Sequence, residues 1–118
     1  MLFCMIPRLM QTELLAQLRE YPIVTVIGPR QAGKTTLVRA ALPDYAYVSL
    51  ETPENRQFAT EDPKAFLKRY PGKVILDEVQ RTPLLLSYLQ GVVDAQPENG
   101  QFVLTGSHQL ELRAAITQ

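Results

Sequence analysis

Residues 28–35 read Gly-Pro-Arg-Gln-Ala-Gly-Lys-Thr and constrain the fold more than any other stretch of the sequence. They match the pattern G-x-x-x-x-G-K-[ST], in which glycines let backbone N–H groups turn inward around a phosphate. Such a loop needs a strand before it and a helix after it. The β-branched run Ile23–Ile27 predicts the strand, and Gly33–Leu42 predicts the helix. This context favours a phosphate loop over the alternative, a structural glycine turn with an exposed lysine.

Strand and helix signals alternate along the rest of the chain. Alternating or continuous apolar residues predict three more strands, at Tyr45–Leu50, Lys73–Leu76 and Phe102–Thr105. Because strands that alternate with helices form parallel sheets, we expect an α/β fold: one mostly parallel sheet with helices on both faces.

The predicted helices are marked by leucine spacing or by a capping residue before a proline. They are Arg8–Glu20, two short helices from Thr52-Pro53 and Asp62-Pro63, one from Thr82-Pro83 that fades before Pro97, and one from Ser107 through Ile116.

Composition predicts one soluble domain over residues 1–118, because 46% of the residues are hydrophobic and 20% are charged. Twelve basic residues balance twelve acidic ones, so the sequence carries no sign of a nucleic-acid partner. Cys4 is the only cysteine, which excludes an intrachain disulfide and suits a reducing compartment. No apolar run is long enough for a membrane span. We therefore expect a cytoplasmic protein without a membrane partner.

The phosphate loop assigns a role to each of its polar residues. Lys34 can reach the β- and γ-phosphates of a nucleotide, and the hydroxyl of Thr35 can bind Mg²⁺. The predicted nucleotide-binding residues are Gly28, Pro29, Arg30, Gln31, Ala32, Gly33, Lys34, Thr35 and Thr36.

A second motif is Val74-Ile75-Leu76-Asp77-Glu78, an apolar strand that runs into two carboxylates. Ligands of open α/β sheets collect at the carboxyl ends of the strands, so Asp77 is the predicted Mg²⁺ residue. Glu78 can orient and polarise a water for attack on the γ-phosphate. An isolated Asp-Glu pair more often enters a solvated turn, but the preceding phosphate loop favours the functional interpretation.

A third motif is Leu104-Thr105-Gly106-Ser107, at the end of the last predicted strand. The hydroxyl of Thr105 or Ser107 can sense the γ-phosphate or hold the attacking water, while Ser107 can equally be only a helix cap. We interpret His108, the only histidine, as a surface residue rather than a general base. Beside the motifs, Arg30, Gln31, Gln80 and Arg81 can touch phosphate or a neighbouring subunit, or lie in solvated loops.

The stretches "GPRQAGKTTL", "VILDEVQRTP" and "FVLTGS" together resemble prokaryotic AAA-type ATPases, which carry an N-terminal P-loop domain and a larger C-terminal domain. The stretches "IPRLMQTELLAQL" and "YVSLETPENRQFATEDP" also resemble that family, so the resemblance covers nearly the whole chain. It implies ATP as the nucleotide. By this resemblance Gly28 to Thr35 is the Walker A loop, Asp77 the Walker B magnesium residue, Glu78 the catalytic glutamate, and Thr105 or Ser107 the sensor.

The resemblance also implies a strand order: Ile23–Ile27, Phe102–Thr105, Lys73–Leu76, Tyr45–Leu50. Members of the family continue past the position of Gln118 into a final core strand and a C-terminal domain. We therefore expect that strand, the lid and any arginine finger to lie outside this sequence, and we expect a homo-oligomer or the C-terminal domain as partner.

The leading functional hypothesis is ATP binding with Mg²⁺-dependent hydrolysis, with binding stronger than turnover in the isolated chain. One alternative is a non-catalytic module whose partner surface changes with bound nucleotide. A small-molecule kinase is the other, and Glu78 beside Asp77 argues against it.

Overall fold

The fold is known from a computed structural model, which describes residues 7–27 and 33–106. Within these ranges the helices are α1 (Pro7–Leu18), α2 (Lys34–Ala41), α3 (Pro53–Glu61), α4 (Pro63–Lys68) and α5 (Pro83–Ala95), with a 3₁₀ turn at Val79–Arg81. The strands are β1 (Ile23–Ile27), β2 (Ala46–Ser49), β3 (Val74–Asp77) and β4 (Phe102–Gly106). None of the helices in the described ranges is both long and apolar enough to cross a membrane.

The four strands form one parallel sheet in the order β1-β4-β3-β2. Val24 lies beside Val103, Ile75 beside Val103, and Tyr47 beside Ile75. Both the α/β class and the predicted strand order are confirmed. The order brings the strand before the phosphate loop next to β4, although the two are far apart in the sequence.

Two apolar clusters cover the two faces of the sheet. Leu14 and Leu18 of α1 and Val38 of α2 pack with Ile75 and Val103 on one face. On the other face, α3, α4 and α5 pack on residues that alternate with these, such as Leu76 and Leu104. Because successive strand residues point to opposite faces, the residues two positions after Ile75 and Val103 also face α2. These residues are Asp77 and Thr105.

Only one of the three predicted cap-and-proline signals forms the expected side-chain cap. Asp62 Oδ1 accepts a hydrogen bond from the backbone N–H of Ala65 at 3.1 Å. Thr52 and Thr82 occupy the N-cap positions of α3 and α5, but neither side chain caps the helix. The hydroxyl of Thr82 instead donates to the carbonyl of Val79 at 3.4 Å. The proline at the first helical position therefore marks these two helix starts without a capping side chain.

Most element boundaries differ from the predicted ones by one or two residues. Helix α1 ends at Leu18 rather than at Glu20, because the N–H groups of Arg19 and Glu20 bond carbonyls three residues back in a tighter turn. Strand β3 includes Asp77, which the sequence motif put just after the strand. The predicted cap at Ser107, the helix through Ile116, the surface position of His108 and the loop residues Gly28 to Ala32 lie outside the described residues.

Strand β1 lies at one edge of the sheet that the described residues form. Within residues 7–27 and 33–106 it has a hydrogen-bonded neighbour on one side only, β4. Val24 and Val26 are buried under α1 and α2, whereas the alternate residues Ile23, Thr25 and Ile27 are only half-buried. Nothing in Ile-Val-Thr-Val-Ile carries the charge or proline that protects an edge strand from pairing.

The edge position of β1 predicts that its amides are less protected from solvent exchange than those of the central strand β3. In a dilute monomer, amides of Ile23–Ile27 should exchange with solvent faster than those of Val74–Asp77, which have hydrogen-bonded strands on both sides. Hydrogen exchange followed by NMR measures this, and Ala46–Ser49, at the other edge, is the internal comparison. Equal protection of β1 and β3 in a stable monomer that lacks α1 would contradict the edge position of β1.

Candidate functional site

Helix α2 begins directly over the carboxyl ends of β3 and β4. Gly33, which precedes it, has a left-handed backbone with φ of 74° that suits glycine, and its carbonyl accepts from the N–H of Leu37 at 3.0 Å. Lys34 and Thr35 are therefore in the first turn, where the helix dipole is positive. Thr36 is in the same turn and is exposed.

The carboxylate of Asp77 is held by three hydroxyl groups from three different elements. Thr35 on α2 donates to Oδ1 at 3.1 Å, and Tyr47 on β2 donates to Oδ2 at 2.7 Å. Thr105 on β4 also donates to Oδ1. Asp77 is 7% exposed, so these donors replace the water that a buried carboxylate has lost.

Tyr47 is fixed at its ring as well as at its hydroxyl. The guanidinium carbon of Arg39, one turn after Thr35 on α2, lies 4.1 Å from the ring centroid, a cation–π contact. Burial, the hydrogen bond to Asp77 and the negative charge of Asp77 raise the pKa of Tyr47 to about 12, and the opposing effects of Ser49 and Arg39 are smaller. The hydroxyl therefore keeps its proton at neutral pH and remains a donor.

Glu78 adopts a backbone conformation that side chains avoid. Its φ and ψ are 61° and 48°, and among the described residues it is the only one other than glycine with positive φ. Its N–H donates to Thr105 Oγ1 at 3.3 Å, so Thr105 joins the backbone of Glu78 to the carboxylate of Asp77. A left-handed residue costs about 1–2 kcal/mol, and such strain collects at functional sites.

The side chain of Glu78 lies between Lys34 and Gln80. Its Oε2 is 3.8 Å from Lys34 Nζ, and its Oε1 accepts from Gln80 Nε2 at 2.6 Å. Lys34 is 2% exposed and Glu78 is 5% exposed, so this is a buried charge pair. A distance of 3.8 Å is longer than a hydrogen bond, so Lys34 and Glu78 interact as charges and no Lys34 donor is bonded to Glu78 Oε2.

The described part of the site fits a nucleotide with Mg²⁺. Thr35 and Asp77 bring a hydroxyl and a carboxylate oxygen within 3.1 Å of each other, and hard oxygen donors of this kind bind Mg²⁺. A buried ammonium beside a helix N-terminus suits phosphate oxygens.

The structure brings together five of the predicted site residues: Lys34, Thr35, Asp77, Glu78 and Thr105. Sequence reasoning missed Tyr47, because the predicted strand order put Tyr45–Leu50 beside Lys73–Leu76 but gave no register between the two strands. It left the position of Gln80 open, and Gln80 bonds Glu78. Arg81, also left open, is exposed and lies 3.7 Å from Glu51. The predictions for Gly28 to Ala32, Ser107 and His108 lie outside the described residues.

Comparison with known proteins agrees with this geometry. A family model described as AAA domain matches residues 20–118. The chain belongs to the AAA domain family. Membership supports a nucleotide-binding, ATPase-like function in general, and the family implies a nucleotide and usually Mg²⁺.

Two mycobacterial proteins resemble this AAA domain over most of its length. They are the uncharacterised protein Mb2031c of Mycobacterium bovis and the uncharacterised protein Rv2008c of Mycobacterium tuberculosis. Each is 37% identical over 92 residues, which cover 76% of this chain and 21% of the relative. The matched region therefore spans about one fifth of the length of these relatives.

The left-handed conformation of Glu78 predicts that a glycine variant at this position is more stable than an alanine variant. Glycine normally destabilises a protein by about 0.5–1 kcal/mol relative to alanine. At position 78 alanine would keep the left-handed strain and glycine would relieve it, so Glu78→Gly should be about 1 kcal/mol more stable than Glu78→Ala. Urea unfolding measures the difference.

Arg81 gives the matched comparison, because it is exposed, lies in the same turn and does not have positive φ. There the usual order should hold, with Arg81→Ala more stable than Arg81→Gly. The same order at both positions would contradict a strained backbone at Glu78.

Proposed function

We propose that this AAA domain binds Mg·ATP where α2 meets the carboxyl ends of β3 and β4, and that it hydrolyses the bond to the γ-phosphate. The observation that supports this most is the convergence of Lys34, Thr35, Asp77 and Glu78 at one edge of the sheet. These residues carry the charges and oxygens that phosphoryl transfer requires.

Lys34 and the start of α2 bind the phosphates in this proposal. The ammonium would contact β- and γ-phosphate oxygens, and the N–H groups in the first turn of α2 would donate to them. Thr35 and Asp77 hold Mg²⁺, which when bound neutralises charge on those oxygens. Thr105 keeps Asp77 in place and, with Ser107, is the proposed sensor of the γ-phosphate.

Glu78 orients the attacking water and accepts a hydrogen bond from it. The water oxygen forms a bond to the γ-phosphorus as the bond to the β-phosphate oxygen breaks, and a proton of the water passes to the Glu78 carboxylate and on to solvent. The products are ADP and inorganic phosphate. Lys34 and Gln80 both contact the Glu78 carboxylate in the structure. A phosphate that attracts the ammonium weakens one of these contacts, so binding prepares Glu78 for its role.

Lys34→Ala should weaken binding of Mg·ATP by at least about tenfold, because a charge-assisted contact to phosphate is lost. Isothermal titration calorimetry measures the affinity. Lys64→Ala is the control, since Lys64 is an exposed lysine of α4, which packs on the opposite face of the sheet. Equal affinities of the wild type and Lys34→Ala would refute the proposed phosphate site.

Glu78→Gln should keep the affinity for Mg·ATP and lose hydrolysis, because the amide retains the shape of the side chain but is a poor base. Phosphate release and calorimetry on the same sample separate the two effects. Glu54→Gln, which changes an exposed glutamate at the start of α3, should leave both unchanged. Undiminished hydrolysis by Glu78→Gln would assign the water-activating role to another group.

A further inference from the structure

The number of donors on Asp77 limits how this carboxylate can meet a metal ion. A carboxylate has about four lone-pair sites, two on each oxygen. Among the residues that the structure describes, Thr35, Thr105 and Tyr47 each donate one hydrogen to it, and these three donors leave a single site. A bidentate contact requires one free site on each oxygen. It is therefore excluded for as long as all three hydroxyls remain bonded.

Tyr47 is the donor that makes this difference. With only Thr35 and Thr105 present, a rotation of the carboxylate would distribute two hydrogens over two oxygens and leave one site free on each. The hydroxyl of Tyr47 donates to Oδ2 and occupies one of these two sites, so a bidentate contact is no longer possible. Its ring is held beneath Arg39 and its backbone in β2, so it cannot easily withdraw.

Divalent ions differ in the carboxylate geometry that they accept. Mg²⁺ is octahedral, keeps several waters and is satisfied with one oxygen from a carboxylate, whereas Ca²⁺ takes six to eight ligands and often binds a carboxylate through both oxygens. An aspartate with one free site suits the first ion better than the second.

We propose that Tyr47 is a positioning residue that sets metal specificity: its hydroxyl restricts Asp77 to a single contact and so favours Mg²⁺ over Ca²⁺ in the nucleotide complex. The inference rests on the proposed function, because it requires a metal–nucleotide complex at Asp77. It adds to that function a residue outside the three sequence motifs and a stated preference between two ions.

The test is the ratio of two affinities for adenylyl imidodiphosphate, an ATP analogue that resists hydrolysis. Calorimetry with excess Mg²⁺ and with excess Ca²⁺ gives the two dissociation constants. In Tyr47→Phe the preference for Mg²⁺ should fall on the order of tenfold, the effect of one hydrogen bond to a charged group. A merely structural role would change both affinities together and leave the ratio unmoved.

Tyr45→Phe is the matched control. Tyr45 precedes Tyr47 by two residues, packs in the same apolar cluster, and its hydroxyl donates to the carbonyl of Gly100 at 2.5 Å rather than to Asp77. Tyr45→Phe therefore removes a tyrosine hydrogen bond two residues away but no donor to Asp77. The preference for Mg²⁺ over Ca²⁺ should stay unchanged in this variant.

Arg39→Gln gives an independent variant if Tyr47→Phe does not fold. Arg39 is exposed, and its loss would loosen the Tyr47 ring without removing a donor, so the preference should shift in the same direction by a smaller factor. An unchanged ratio in every folded variant of these two positions overturns the inference and leaves nucleotide binding intact. A wild-type chain that binds the analogue with neither ion would overturn the proposed function, and this inference with it.

Discussion

Burial of a carboxylate is unfavourable unless hydrogen bonds or charges replace its lost hydration, and three hydroxyl groups do so for Asp77. Its three donors come from α2, β2 and β4, which are the elements around the end of β3. The carboxylate therefore fixes the height at which α2 begins over the sheet and the orientation of the residues beside it. The position of Lys34 follows from this, because Lys34 precedes Thr35 in the same turn.

Thr105 connects the two acidic residues of the β3 end. Its single hydrogen is donated to Asp77, while its oxygen accepts the N–H of Glu78. The left-handed backbone at Glu78 is stabilised in part by that hydrogen bond, and it turns the chain out of the strand toward the 3₁₀ turn. The carboxylate of Glu78 thereby reaches Lys34 instead of continuing along the strand direction. One small hydroxyl thus supports both the proposed metal residue and the proposed catalytic one.

Local patterns were sufficient for the four strands and for the helices in the described residues, whereas the strand order came from the resemblance to AAA-type ATPases. The phosphate loop and the apolar strands have strong short-range signals, and parallel strands with helical crossovers allow few arrangements. Tyr47 was missed because its role depends on the register between β2 and β3 and on the face that it shares with Asp77. The left-handed conformation of Glu78 has no sequence signal, since glutamate rarely adopts it. Thr52 and Thr82 were expected to cap helices because of their residue type, but the following proline is sufficient to start a helix.

The contacts that define the site join distant parts of the chain. Asp77 is separated from Thr35 by 42 residues, from Tyr47 by 30 and from Thr105 by 28. During folding, the loops between them must close before any of these contacts forms, and β1 and β4 must pair across most of the domain. A fragment that lacks α2, β2, β3 or β4 therefore loses part of the site, and any ligand of Asp77 is coupled to the folding equilibrium of the whole sheet. The binding edge of this domain therefore forms only when the whole sheet folds, in one cooperative event.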